Sequence, residues 1–142
     1  MERRTFIMMG ATGAFGRVAR ADTAEQQVFD LFTKIATALS DGDPGIFIDA
    51  LDPSMPGRDD FRRQLVALTD LADVTNSIEI YSDTGDDTHR TEQLDWFMEL
   101  VDRSPSHTVE RRREVVTFKL ERKGKKWKIL SIEPRTLFAP PK

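Results

Sequence analysis

Two alternating runs late in the chain place charged side chains in phase with large apolar ones. In HRTEQLDWFMELVDR, residues 89–103, Leu94, Trp96, Met98 and Leu100 share one side of an extended strand, and the same phase carries Arg90 and Glu92. In HTVERRREVVTFKLER, residues 107–122, Val116, Phe118 and Leu120 share a side with Glu110, Arg112 and Glu114. A glutamate held in an apolar wall resists ionisation and can give or take a proton near neutrality, whereas an adjacent arginine anchors an anion and opposes that shift. With both strands facing one core, one end of the inner sheet face is expected to be apolar and the other to carry two arginines and three glutamates. Arg90, Glu92, Trp96, Glu110, Arg112 and Glu114 are therefore the candidate lining of a ligand pocket. The structural alternative is that a long bent strand, or a bulge that flips its phase, leaves the charged groups as cross-strand ion pairs in solvent.

Other chemistries find less support. His89 and His107 open successive strands of an antiparallel pair, which separates them by roughly 45 Å at about 3.3 Å per residue and denies them a shared metal or proton relay. The acidic runs DGDPG (41–45) and DTGDD (83–87) lack the spacing of a twelve-residue calcium loop with its closing glutamate. Asp43 suits a helix cap and 83–87 a hairpin turn, so no metal is expected. The absence of cysteine rules out disulfides, thiolate metal sites and thiol nucleophiles. No G-x-S-x-G or H-E-x-x-H sequence occurs, and Trp127 reads as core beside Ile129.

The opening run RTFIMMGATGAFGR, residues 4–17, spaces Gly10, Gly13 and Gly16 as a dinucleotide-binding turn does, directly after an apolar stretch. That reading also needs a helix and then a second parallel strand, and the next strand-like run begins only at residue 74. No cofactor is expected. An export segment fits better: a basic start (MERR), a mildly apolar middle, and Ala19-Arg20-Ala21 as a small-x-small cleavage site. RRTFI resembles the twin-arginine motif, and the expected place of work is periplasmic or extracellular.

Net charge is −3, and because Arg3, Arg4, Arg17 and Arg20 oppose only Glu2 in the first 21 residues, the remainder stands at −6. A domain so charged is a poor partner for nucleic acid. No apolar stretch approaches the roughly 20 residues that span a bilayer.

The elements that must position the candidates follow from periodicity. Thr23 with Gln26, or Asp22 with Glu25, caps a helix over 23–40 whose stripe is Val28, Leu31, Phe32, Ile35, Ala38 and Leu39. Asp43-Pro44 starts a short second helix burying Ile46, Phe47, Ala50 and Leu51. A third opens at Asp59 or Asp60 and buries Phe61, Leu65, Leu68 and Ala72. The period then changes to two. SIEIYS (77–82) alternates, DTGDD turns, the two long runs follow, and Lys123-Gly124-Lys125 leads into KWKILSIEP (126–134). Residues 135–142, with two prolines, read as a tail. The expected class is α+β: three N-terminal helices packed on a strongly bent four-stranded antiparallel sheet.

The helix VFDLFTKIATALSDGD, the short PGIFIDALDP and the closing hairpin GKKWKILSIEP resemble the nuclear transport factor 2-like superfamily over about residues 23–138. The resemblance implies a cone-shaped α+β domain over 22–138, behind a signal of 1–21 and before a tail of 139–142. It also implies a pocket between helices and sheet, and dimers through the open sheet face, where Phe97, Val101, Val109 and Val115 stand outward. Ketosteroid isomerase shares that fold, but its catalytic tyrosine comes from the first helix, where this chain has Phe29 and Phe32. Tyr81 is out of phase with Ile78 and Ile80, and Asp95 alternates against Leu94 and Trp96, so steroid-type isomerisation is not expected. The expected function is an exported module, non-enzymatic, holding a small apolar ligand or a protein partner. The rival is a pocket enzyme (isomerase, dehydratase or hydrolase) for a small hydrophobic substrate.

Overall fold

Two of the three helices begin where a side chain satisfies a free backbone N–H group. In the computed structural model, which describes residues 23–142, the Thr23 hydroxyl accepts from the Gln26 N–H at 3.2 Å and opens helix α1, Ala24–Ser40. The export signal expected over 1–21 lies outside the described residues. The Asp43 carboxylate accepts from the Gly45 N–H at 2.8 Å and opens α2, Gly45–Ala50, with Pro44 already in helical conformation. Helix α3, Arg58–Leu71, carries Asp59 and Asp60 in its first turn, where negative charge suits the helix dipole. Val28, Phe32, Ile35 and Leu39 of α1, Phe47 of α2, and Phe61, Leu65 and Leu68 of α3 are all buried.

The chain passes from α3 into a sheet of β1 (Ala72–Gly85), β2 (His89–Asp102), β3 (Val109–Lys123) and β4 (Lys126–Glu133), in the order β1-β2-β3-β4 with every neighbour antiparallel. This is the α+β architecture the sequence predicts. The α2–α3 connection also touches the sheet's edge: the Asp52 N–H donates to the Ile129 carbonyl at 2.8 Å.

Two expectations are corrected. The strand expected from residue 74 starts at 72 and runs through the first part of the expected 83–87 turn: β1 spans 72 to 85, and the turn is 86–88. Its pairing passes from Ile80 opposite Leu94 to Ser82 opposite Gln93, so Tyr81 is an extra residue in a β-bulge and lies exposed. Gly85 closes the strand at φ +132°, and a Cβ there would lie 2.3 Å from the His89 carbonyl oxygen, which excludes other residues. The second correction is that residues 135–142 are not a free tail. Thr136–Phe138 form a 3₁₀ turn that buries Leu137 and Phe138. A single turn is too short to display a period, which is why the pattern of residues gives no sign of it.

Phe138 completes an aromatic cluster. Its ring lies 5.1 Å from Trp96, 5.2 Å from Phe47 and 5.8 Å from Phe61 between centroids, all near-perpendicular, the favoured edge-to-face arrangement. Phe118 sits 6.0 Å from Trp96 and 4.5 Å from Phe32. These six rings occupy the space between the helices and the sheet. On the outer sheet face Phe97, Val109 and Val115 are exposed, interleaved with the ion pairs Arg113–Asp95 (2.6 Å) and Arg111–Glu99 (2.9 Å). No helix among the described residues is long and apolar enough to cross a membrane.

Candidate functional site

The expected phase of β2 holds along its whole length: Arg90, Glu92, Leu94, Trp96, Met98 and Leu100 are all buried. On β3 Val116, Phe118 and Leu120 are buried, Glu110 and Arg112 are half-buried, and Glu114 is exposed. What fails is the expectation that the charged groups gather at one end. Antiparallel register pairs Arg90 with Leu120 and Glu92 with Phe118, whereas Met98 faces Arg112 and Leu100 faces Glu110. Charge early on β2 therefore meets apolar residues late on β3, and the reverse holds at the other end. Glu92 and Arg112 stand six residues apart in register, about 20 Å along the strand at roughly 3.3 Å per residue. The inner face has two polar ends and an aromatic middle, with Trp96 sealed between them. The Trp96 indole N–H donates to Asn76 Oδ1 at 2.9 Å, and Asn76 Nδ2 donates to the Ala36 carbonyl at 2.9 Å, which ties sheet to α1.

At the first end Arg90 is 6% exposed and Glu92 is 2% exposed. The Arg90 Nε donates to Asp83 Oδ1 at 3.1 Å and to Glu92 Oε2 at 3.3 Å; its Nη2 also pairs with Asp83, and its Nη1 donates to the Asp86 carbonyl at 3.1 Å. Glu25, in the first turn of α1, stands 3.6 Å from Nη1. Burial, then the hydrogen bond to Asp83 and its negative charge, push the Glu92 carboxyl up to about 8, against the opposing pull of Arg90. Burial works against ionisation of Asp83 as well, but the hydrogen bond from Glu92 and the contact with Arg90 outweigh it and hold Asp83 below its ordinary value. The shared environment thus drives the two carboxyls apart, Glu92 toward the protonated form and Asp83 toward the ionised one beside Arg90, the kind of buried acid that general acid chemistry uses.

Asp83 could not be found by strand parity. Extending Ile78 and Ile80 by twos places it outside; the bulge at Tyr81 reverses the phase and brings it opposite Glu92. The available signal was Tyr81 itself, a large residue breaking the alternation just before the carboxylate.

At the second end Arg112 serves the chain's own C-terminal segment. Its Nε donates to Glu110 Oε2 at 2.7 Å, Nη1 to the Leu137 carbonyl at 2.9 Å and to the Ala139 carbonyl, and Nη2 to the Pro140 carbonyl at 2.9 Å. The hydrogen bond from Arg112 lowers the Glu110 carboxyl, helped by the Lys142 backbone N–H at 3.3 Å. An open hollow of about 500 Å³, lined by Glu110, Arg112 and Glu114 on one side and residues 136–142 on the other, remains there.

A second buried acid is structural. Asp52 Oδ1 lies 2.7 Å from the Lys123 ammonium and Oδ2 accepts the Ser54 N–H at 3.0 Å. The hydrogen bond from Lys123, then those from Ser54, bring its carboxyl down to about 2. His89 pairs with Glu121 at 3.2 Å, and His107 lies in the β2–β3 turn at the far end of the hairpin. No three His, Asp or Glu side chains among the described residues are grouped to hold a metal ion.

The sequence matches no family model and no curated protein. Solved structures do resemble it. A conserved protein from Planctomyces limnophilus superposes with a TM-score of 0.68 at 11% identity, over 76% of this chain and 91% of that one. A candidate calcium/calmodulin-dependent protein kinase II association domain from Xanthomonas campestris gives 0.61 at 18% identity, over 84% and 94%. A candidate dehydratase of the nuclear transport factor 2-like family from Streptomyces avermitilis gives 0.60 at 14% identity, over 77% and 93%. Three helices laid across one antiparallel meander of β1 to β4, matched along nearly the full length of these solved structures, give this chain the nuclear transport factor 2-like fold.

Proposed function

We propose that this chain is an exported, non-enzymatic binding module that engages its partner through its surface rather than inside the cone. The observation that carries the reading is the aromatic filling: Trp96, Phe32, Phe47, Phe61, Phe118 and Phe138 are buried where a ligand would have to sit. Arg90 and Arg112, the two cations able to anchor a substrate anion, are each already bound to groups of the chain itself. The similarity to an association domain supports an assembly role. Phe97, Val109 and Val115 support pairing with a second copy across the outer sheet face. Export rests on the Arg3-Arg4 motif and Ala19-Arg20-Ala21.

A pocket enzyme is the second reading, favoured by the burial of Glu92 beside Asp83 and Arg90, which raises its carboxyl. The similarity to a candidate dehydratase points the same way.

The two readings separate in one experiment. Small hydrophobic fragments are titrated into the isotopically labelled protein while the Trp96 and Trp127 indole N–H resonances are followed by NMR. The module reading expects the Trp96 resonance to stay fixed at every fragment concentration. A fragment that saturably shifts Trp96, and does so less in Glu92→Gln, would overturn it in favour of the enzyme.

A further inference from the structure

Away from both polar ends, α1, α2 and the β3–β4 hairpin enclose an open groove of about 560 Å³. Its apolar lining is Leu31 from α1, Ile46 and Ala50 from α2, and Trp127 from β4. Trp127 is held in place by its indole N–H, which donates to Gln27 Oε1 at 2.9 Å. Ile46 is exposed where α2 borders the groove, so its side chain is available to an occupant.

The rims carry the charge. Lys34 stands on the helical side, and Lys125, Lys126 and Lys128 on the hairpin side, against Asp30 and Asp49. Lys128 is committed to the Asp49 carbonyl at 2.6 Å, which leaves the groove's net charge unchanged at +2 but fixes that rim. The chain as a whole stands at −3. The lysines of these rims complement carboxylates of a partner, and the apolar lining takes that partner's apolar side chains. The groove is open and lies beside β4, the sheet's edge strand; that edge is taken at Ile129 by Leu51 and Asp52, and residues 126–128 beside the groove are where an extended chain would add.

We propose that this groove is a docking site for an extended acidic peptide segment of a partner protein, with apolar side chains on Leu31, Ile46 and Trp127 and carboxylates against Lys34, Lys125 and Lys126. The site rests on the reading of the chain as a binding module and names where that binding occurs.

The test uses the purified full chain and a short fluorescein-labelled peptide of alternating glutamate and leucine, read by fluorescence anisotropy. The Trp96 and Trp127 indole resonances are followed in parallel. Binding is expected to be saturable, to move Trp127 but not Trp96, and to weaken about tenfold or more in Lys34→Glu/Lys126→Glu. Arg62→Glu/Lys119→Glu makes the same change in net charge on other surfaces and is expected to hold affinity within about twofold at physiological salt. Retained thermal midpoints establish that the variants fold. Equal losses in the two double variants, or no saturable binding with Trp96 undisturbed, would sink the groove while leaving the module reading intact. Tighter binding of laurate or of phosphatidylglycerol vesicles, with the same dependence on Lys34 and Lys126, would overturn the peptide as occupant. A Trp96 shift would overturn the module reading itself.

Discussion

The two ends of the inner sheet face use the same residue types to opposite effect. At one end Arg90 meets Asp83, Glu92 and Glu25, carboxyl groups brought from β1, β2 and α1. At the other Arg112 meets one carboxylate, Glu110, and three backbone carbonyls of residues 137–140. The first arrangement is locked, because removing the cation strands negative charge in the interior. The second is a latch, because two of the three carbonyls that Arg112 holds belong to Ala139 and Pro140, half-buried residues beyond the buried Leu137 and Phe138 that can turn to water. An arginine on an inner strand face is thus neither catalytic nor structural by type; what stands opposite it, and whether that partner has another place to go, decides its role.

The largest effect should come from Arg90→Leu. Breaking a buried ion cluster by removing one member typically costs about 3–5 kcal/mol, and here Asp83 would lose the contacts that keep it ionised. Urea unfolding of the variant at pH 7 should show that loss, and a cost as small as that of a surface pair would break the contrast between the two ends. Arg112→Leu should cost less, about 1–3 kcal/mol, since the freed carbonyls can be hydrated. Its signature lies elsewhere: amide exchange at residues 139 and 142 should accelerate strongly, while Phe138, anchored against Trp96, keeps much of its protection. Exchange that accelerates equally across the sheet would mean Arg112 supports the whole fold and is no latch.

Most of the architecture was legible in the sequence, and the reasons for the exceptions are physical. The caps at Thr23 and Asp43, the helical stripes and the two-residue phase of β2 are local properties, written in spacings of two to four residues. The grouping of the charged residues was not local. Phase says which face a residue takes, but register says which residues meet, and antiparallel pairing set Glu92 against Phe118 instead of near Arg112. Asp83 was hidden by one inserted residue, Tyr81, whose bulge inverts every parity after it. Phe138 was hidden because its burial depends on rings from α2, α3 and β2, and nothing within its own turn foretells them.

Glu92→Gln gives the smallest expected effect and the sharpest test of the locked end. In the folded wild type the Glu92 carboxyl keeps its proton up to about pH 8, whereas in the unfolded chain it ionises near its ordinary value of 4.5. Between those values the folded state binds more protons, so this group's contribution to stability is complete at low pH and is lost as pH rises toward 8. Asp83 acts with the opposite sign and in a separate window: its contribution is present above its ordinary value of 3.8 and is lost only on acidification. Glutamine is uncharged at every pH and can still donate an N–H to Asp83, so the variant should lose the decline between pH 5 and 8 while remaining folded. The slope removed should amount to about 1–2 kcal/mol over that range, a discounted reading of a shift of several pH units. Denaturant titrations of both proteins at pH 5, 6.5 and 8 measure it directly; parallel curves would show that Glu92 is ionised in the folded protein and that Arg90, not the shared proton, governs that end of the cone.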